Sequence, residues 1–407
     1  MKKRIIAVLM SFVAVLTLSA CTETVVELNT VSMFGGTDAN RVVYESTIYA
    51  FENEHNIRVK DKSQSSDEEW KSTVISNFNT GNEPDVLQFF TGETAKPFVD
   101  AGLVMSIEDI RKEYPDYAKN IDDSVLGTHS VPTTGFVEGI FVNLDHFKSN
   151  EAKAYLDKDV WTWDEFKALC AKLVEDNADV EGYKPIAYGQ NIPHYWIDHL
   201  VAAQLGPDYY NVIKGAEGED KLTNALLKLS EIKDYLSYDE TEEFSSQAFL
   251  DGKYTFQLDG SWFGGRIELE NITVYPFPVV NEEYGSPLLS GFTSGFYITK
   301  KAWDNPKKRD LAVKFVEAMT SRETLTKFVT YGGGFAADSE AKPQNETKVQ
   351  EALRLVSPRA DFVVLPLGDA SVAGTYAGLV EVQASFVNNQ ADTAKAAVKT
   401  YIEGQTD

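Results

Sequence analysis

Between Val25 and Phe90 the chain switches twice from strand-like to helix-like hydrophobic spacing, and that rhythm limits what it can fold into. Apolar residues alternate through Leu28 and Val31, then break at Phe34-Gly35-Gly36. Tyr44, Thr47, Ile48 and Phe51 line one helical face, with Asp38 placed to cap that helix. Ile57-Arg58-Val59 reads as a second strand. Ser66-Asp67-Glu68-Glu69 has capping-box spacing and opens a helix through Trp70, Val74 and Phe78. Gly81-Asn82 ends it, and Pro84 to Phe90 forms a third strand. Strand, helix, strand, helix, strand is the pattern of a parallel sheet with helices on its faces.

The pattern resumes beyond a connecting region. Gly139 to Asn143 is strand-like, and Thr162-Trp163-Asp164-Glu165 is a second capping box opening the helix that carries Cys170. Ile186-Ala187-Tyr188 is a short strand, followed by an aromatic helix around Tyr195-Trp196. Phe249 to Asp259 approaches a strand, Val274 to Pro278 leaves one, and Gly295 to Thr299 leads into a helix over about Lys307 to Met319. With 407 residues, two domains are expected, because single cores stop growing near 250–300 residues.

The first residues carry an address. Met1-Lys2-Lys3-Arg4 is a basic head, Ile5 to Leu18 an apolar run, and Leu18-Ser19-Ala20-Cys21 ends it with small residues before a cysteine. This is signal-peptide order, too short and wrongly flanked for a membrane span. The ending resembles the bacterial lipobox, which implies cleavage after Ala20, a lipid on the Cys21 sulfur and an anchored protein; an ordinary cleaved signal is the alternative. Cys170 is then left without a disulfide partner and reads as a small buried hydrophobe beside Phe166, Leu169, Leu173 and Val174. The formal charge of −24 becomes three units more negative once Lys2, Lys3 and Arg4 leave. Such a surface repels nucleic acid and anionic lipid headgroups.

Catalysis finds little support. The five histidines, His55, His129, His146, His194 and His199, are scattered. His194 and His199 do not share a helical face for a metal, and no His-Glu-x-x-His occurs. In Gly291-Phe292-Thr293-Ser294-Gly295 the serine falls one residue late for a nucleophile elbow. Neither enzyme activity, metal nor cofactor is expected.

Several segments, in order, resemble the family 1 extracellular solute-binding proteins, the receptors of ATP-binding-cassette (ABC) sugar importers. These are Phe34 to Asp38; Gly81-Asn82-Glu83-Pro84-Asp85-Val86; Gly139 to Phe147; Trp161 to Phe166; Phe249 to Lys253 with Asp259-Gly260-Ser261-Trp262; and Gly291 with Ile298-Thr299-Lys300 and Ala312 to Met319. Val142 and Asp145 depart from the family pattern, as do Gln257 and Leu258. The resemblance implies a two-lobed periplasmic-binding-protein-like α/β fold of type II, each lobe a mainly parallel sheet flanked by helices, with the ligand cleft at the hinge. Residues 1–20 form the signal peptide and 21–24 a lipid-anchored tether. The N-terminal lobe takes 25–132 plus 279–330, the C-terminal lobe 138–278 plus 331–407, with crossings near 133–137 and 278.

The implied function is an extracytoplasmic, membrane-anchored monomer that captures a sugar and hands it to permease subunits. A neutral sugar needs aromatic platforms and planar polar groups. Trp262, after a strand end, is the stacking candidate. Phe34, Gly35, Gly36, Thr37 and Asp38 follow the first strand, where Asp38 either accepts hydroxyls or only caps. Phe89 and Phe90 face opposite sides, one toward the core and the other toward the cleft, and the sequence does not say which; Phe90 and Gly92 stand as the candidates after the third strand. Glu138 lies near the first crossing. Tyr195 and Trp196, next to His194, form an aromatic segment of which half should be core. Gly291 and Phe292 mark the second crossing, Tyr376 a late wall, and Tyr331 to Phe335 a loop that lines the cleft or merely ends a helix. The rival is a receptor for a polyamine or metal complex, which would need several carboxylates such as Asp38, Asp85, Glu138 or Asp259.

Overall fold

The computed structural model describes residues 25–189, 193–237 and 245–405. The leader, Cys21 and the tether lie outside them.

The first sheet has the order β2-β1-β3-β8, from Arg58–Asp61, Glu27–Val31, Val86–Phe90 and Ser294–Ile298. β1 is parallel to β2 and β3, with Leu28 opposite Val59 and Thr30 opposite Val86. Helices α1 (Arg41–His55) and α2 (Glu68–Asn79) make the two crossovers that parallel pairing requires. β8 returns from far along the chain and runs antiparallel to β3. Side chains alternate across this sheet as a pleat dictates. Leu28, Val86, Phe296 and Ile298 pack with Tyr44 and Phe51 of α1 and with Phe315. Leu87, Phe89 and Tyr297 pack on the other face with Trp70, Val74 and Phe78 of α2.

The cap of α2 differs by one residue from the expected one. Asp67, not Ser66, accepts from the backbone N–H of Trp70, so the ion-friendly helix start is a simple N-cap. At α1 the side chain of Asp38 accepts from the backbone N–H of Asn40 (2.7 Å), and Asn40 holds the N-cap position. The capping box at Thr162 and Glu165 forms as the spacing predicts and starts the Trp163–Asp176 helix. Cys170 is fully buried in its core.

The second sheet is built around β4 (Thr134–Asn143). β5 (Phe256–Gly260), β6 (Ile272–Tyr275), β7 (Pro287–Gly291) and β9 (Phe335–Ala336) all pair with it antiparallel. β10 (Phe362–Val364) is parallel to its neighbour β7, and Ile186 makes a single parallel bridge to Phe256 of β5. The expected mainly parallel sheet therefore holds for the first lobe and not for the second, where every strand that returns to β4 runs antiparallel to it. Ile140, Val142, Phe256 and Leu258 pack on one face against Trp161, Phe166 and Trp196. Phe141 packs on the other with Phe249 and Phe263.

Passages between the sheets follow from these pairings. Val131 bridges to Phe296 in the first lobe, and β4 starts three residues later. The second passage lies at Phe292-Thr293, between β7 of the second sheet and β8 of the first, rather than near 278. Residues 279–291 thus lead into the second sheet, because Pro278 precedes a loop and not a crossing. Leu325, Phe328, Ala337 and Ala341 still pack in the first core, whereas Val349 and Leu353 pack in the second. A third passage therefore falls between 341 and 349.

Candidate functional site

Side chains from four elements of the second lobe converge beside the strand ends. β4 supplies Glu138, opposite Gly260 of β5 in the sheet register. β5 supplies Asp259, and the turn just after it supplies Trp262, held because Gly260 leaves room directly beneath the indole. The Pro193–Leu205 helix supplies His194, Tyr195 and Asp198, and the segment after β10 supplies Asp369 and Tyr376. The Trp262 ring lies 5.7 Å from Phe136 and 6.4 Å from Tyr195.

Hydrogen bonds fix this wall. The Tyr376 hydroxyl donates to Asp198 Oδ1 (2.8 Å), which also accepts the Gly368 N–H (3.3 Å). Asp259 accepts from the Gly260 N–H (2.7 Å) and from Gln257 Nε2 (3.1 Å). His199 Nδ1 lies 2.8 Å from the Tyr195 carbonyl and 3.6 Å from Glu138 Oε2, too far to bond the latter. Among the described residues Glu138 Oε2 is buried with no hydrogen-bond partner.

Burial without enough positive charge sets the electrostatics. Burial pushes the Asp198 carboxyl up to about 8, the Tyr376 bond and the Gly368 N–H opposing it. It pushes Asp259 up to about 6 and Glu138 well above the usual carboxylate range, with Asp198, Asp369 and Asp259 adding repulsion to the latter. Asp369 also rises, chiefly from desolvation. Burial lowers His194 to about 3 and His199 to about 4, so both imidazoles are neutral.

The first lobe faces this wall with α2 and the turn after β3. Lys71 of α2 pairs with Glu68 (2.8 Å), and its ammonium lies 4.1 Å from the Phe90 ring centroid. Its charge reaches Asp198, Asp369 and His194 across the seam. Gly92 takes a left-handed φ of 62° and approaches the Asp369 backbone, where the Leu367–Ala370 turn packs on Gly92–Ala95. A gap of about 20 Å³ separates Lys71 and Thr94 from Gly368 and Tyr376, so the two lobes are nearly in contact there. A larger depression of about 530 Å³ lies elsewhere, near Trp303, His129 and Asp109. Charges around it are paired, Lys112 with Asp109 and Arg309 with Glu113, and its acids and aromatics do not converge as those of the seam do.

The structure thus brings together Glu138, Tyr195, Trp262, Tyr376, Phe90 and Gly92. Phe89 is buried in the core and Phe90 is the half-buried one of the pair. Two further candidates pack away from that group. Phe34 is buried against Tyr44 and Phe328 (5.0 Å to the latter), and Trp196 is fully buried near Phe166 and Phe277. Phe34 turns inward just past the end of β1, and Trp196 turns inward on its helix with its indole N–H left without a partner among the described residues. Gly35 and Gly36 serve the approach of another loop: a Cβ on Gly35 would stand 2.5–2.8 Å from the Gln64 backbone, and Gly36 has a φ of 59°. Thr37 is exposed, and Asp38 is half-buried with its carboxyl pushed up to about 6 by burial. Gly291 abuts Leu365, and Phe292 stacks edge-on with Phe335 at the second passage (5.0 Å). At Tyr331 to Phe335 the left-handed Gly333 ends the preceding helix, its N–H donating to Val329. Asp85 anchors the start of β3, at the opposite end from Phe90, by accepting from the Asn29 N–H (2.7 Å) and Lys308 (2.6 Å). Lys71, Asp198 and Asp369 escaped sequence reading. Asp198 follows Tyr195 by three residues on one helix face, a usable signal; nothing local marks the other two.

Among the described residues no helix is long and apolar enough to cross a membrane. A chitin oligosaccharide binding protein superposes with a TM-score of 0.80 at 16% identity, covering 94% of this chain and 100% of its own. The Thermus thermophilus maltotriose binding protein, bound with maltotriose, gives 0.67 at 17% identity over 92% and 99%. An ABC substrate-binding protein from Listeria monocytogenes in complex with cycloalternan gives 0.70 at 14% identity over 93% and 97%. No curated protein sequence matches the chain. The family model described as bacterial extracellular solute-binding protein matches residues 37–325. With the two-sheet fold and a converging wall at the seam, that match over most of the length makes this chain a member of the bacterial extracellular solute-binding proteins.

Proposed function

We propose that the protein is an extracytoplasmic carbohydrate receptor that captures a sugar or oligosaccharide between its lobes and delivers it to the permease of an ABC importer. The observation that carries the reading is the convergence of Trp262, Tyr195 and Tyr376 with hydrogen-bonding carboxylates at the seam. Aromatic faces match the C–H faces of a pyranose, and carboxylates accept from its hydroxyls. The similar structures named above bind chitin oligosaccharide, maltotriose and cycloalternan, which supports the same class. Ligand bound across both lobes favours the closed arrangement, and the permease reads that closure. The role is binding, not catalysis.

The test is a thermal-shift screen of the protein lacking residues 1–21 against sugars, polyamines and metal ions, confirmed by calorimetry. A ligand specific to the native state raises the melting temperature by mass action. A saturable shift with a saccharide, with affinity lowered by about 2 kcal/mol, roughly thirty-fold, in Trp262→Ala, is the expected result. A shift with polyamine or metal alone overturns the carbohydrate reading.

The number of acids at the seam favours, as a second reading, a cationic solute. Among the described residues no three His, Cys, Asp or Glu side chains stand close enough together to hold a bare metal ion, and the cationic solutes in question are a polyamine or a metal complex. For the leader we propose lipidation at Cys21; labelled palmitate should enter the protein in its native host and be lost in Cys21→Ser.

A further inference from the structure

The seam has two features that ordinarily point to different ligands. Trp262 and Tyr195 offer the ring faces a saccharide stacks on. Asp198, Asp259 and Asp369, from three separate elements, also lie within electrostatic reach of Glu138 on a fourth. Acids in a sugar site are ordinary as acceptors, but these outnumber the cations that face them. Lys71 reaches Asp198 and Asp369 from α2 while bonded to Glu68, and Arg266 reaches Asp259. His194 and His199, on the helix packed against them, are neutral.

One oxygen in the set, Oε2 of Glu138, has no hydrogen-bond partner among the described residues. Glu138 is 4% exposed, and its Oε2 has no partner, because the nearest imidazole nitrogen is already engaged with the Tyr195 carbonyl. A buried carboxyl left unpaired is costly unless a ligand completes it. Asp198 uses only Oδ1 for Tyr376 and Gly368. An ammonium group carries several N–H donors, which reach carboxylates through charge-assisted bonds.

We infer that the saccharide carried by this receptor bears a protonated amine, received by Glu138, Asp198 and Asp369 while its ring rests on Trp262 and Tyr195. The inference rests on the carbohydrate reading and narrows it to amino sugars.

Three β-1,4-linked series differ only in the group on one ring carbon: glucosamine oligomers, their N-acetylated forms and cello-oligosaccharides. Calorimetry at pH 6 with monomers to tetramers of each should show the amine series binding at least tenfold tighter than both others. Repeating it in buffers of different ionisation enthalpy should show net proton release, because an ammonium displaces protons from the shared acids. Asp369→Asn, a neutral near-isostere, should cut the amine preference at least fivefold with the melting temperature kept. Equal or tighter binding by the acetamide or hydroxyl series overturns the inference and leaves the carbohydrate reading intact. Binding of none of the three series overturns it, and a shift with spermidine alone removes the carbohydrate reading as well.

Discussion

At the scale of single residues, buried acids control how the molecule responds to pH. Asp198, raised to about 8, faces Tyr376, the Gly368 N–H, Asp369 and, from α2, Lys71. Its folded value lies above the ordinary carboxylate value of 3.8, so the native state holds a proton that the unfolded state releases. Its stabilising contribution is complete below about pH 4 and disappears as pH rises to about 8. Asp259 and Asp38, each raised to about 6, act in the same direction over a narrower window. Melting scans from pH 5 to pH 8 should therefore show a smaller fall for Asp198→Asn than for the unaltered protein; equal slopes would refute this. Gly35 provides a steric counterpart. An added Cβ meets the Gln64 backbone, which cannot swing away as a side chain can, so Gly35→Ala should cost about 1–3 kcal/mol, read by urea unfolding.

At the scale of elements, local chemistry was legible wherever it was self-contained. Thr162 accepts the Glu165 N–H (3.2 Å) while Glu165 accepts the Thr162 N–H (3.0 Å), the reciprocal pair that the spacing announces. Thr162→Ala should lower stability by about 1 kcal/mol, visible as a shifted denaturant midpoint with unchanged slope. The crossovers around β1, β2 and β3 were legible for the same reason, since α1 and α2 each bury a face set by helical period. Prediction failed where a partner came from far along the chain. β4 reads as one apolar strand, yet nothing in Thr134–Asn143 states that it pairs with β5, β6, β7 and β9 in antiparallel sense. Phe34 and Trp196 show the same limit: an aromatic beside a strand end or on a helix looks the same in sequence whether it meets a core or a cleft.

At the scale of the whole molecule, the seam depends on a late segment brought back across the structure. Residues 367–376 belong to the second lobe through Leu367 and Tyr376, yet the Leu367–Ala370 turn rests on Gly92–Ala95 of the first. Ser371 joins Tyr401 (2.7 Å), Val372 donates to Gln405 (2.9 Å), and the Tyr376–Asp198 bond ties the segment to the wall. Tyr376→Phe removes that last tie and should weaken ligand binding by about 1 kcal/mol, roughly fivefold. Small-angle scattering should show less ligand-induced compaction in the variant; equal compaction and affinity would show that the tie is dispensable. The sequence by itself determined the elements, the helix caps and the alternating strand-and-helix order of the first lobe, because periodicity and capping act over a few residues. It also marked Trp262, Tyr195, Glu138 and Tyr376 as separate candidates. Only the tertiary structure decided that these meet Asp198, Asp369 and Lys71 at one seam, since the charge balance of a buried site is the sum over residues that burial brings together.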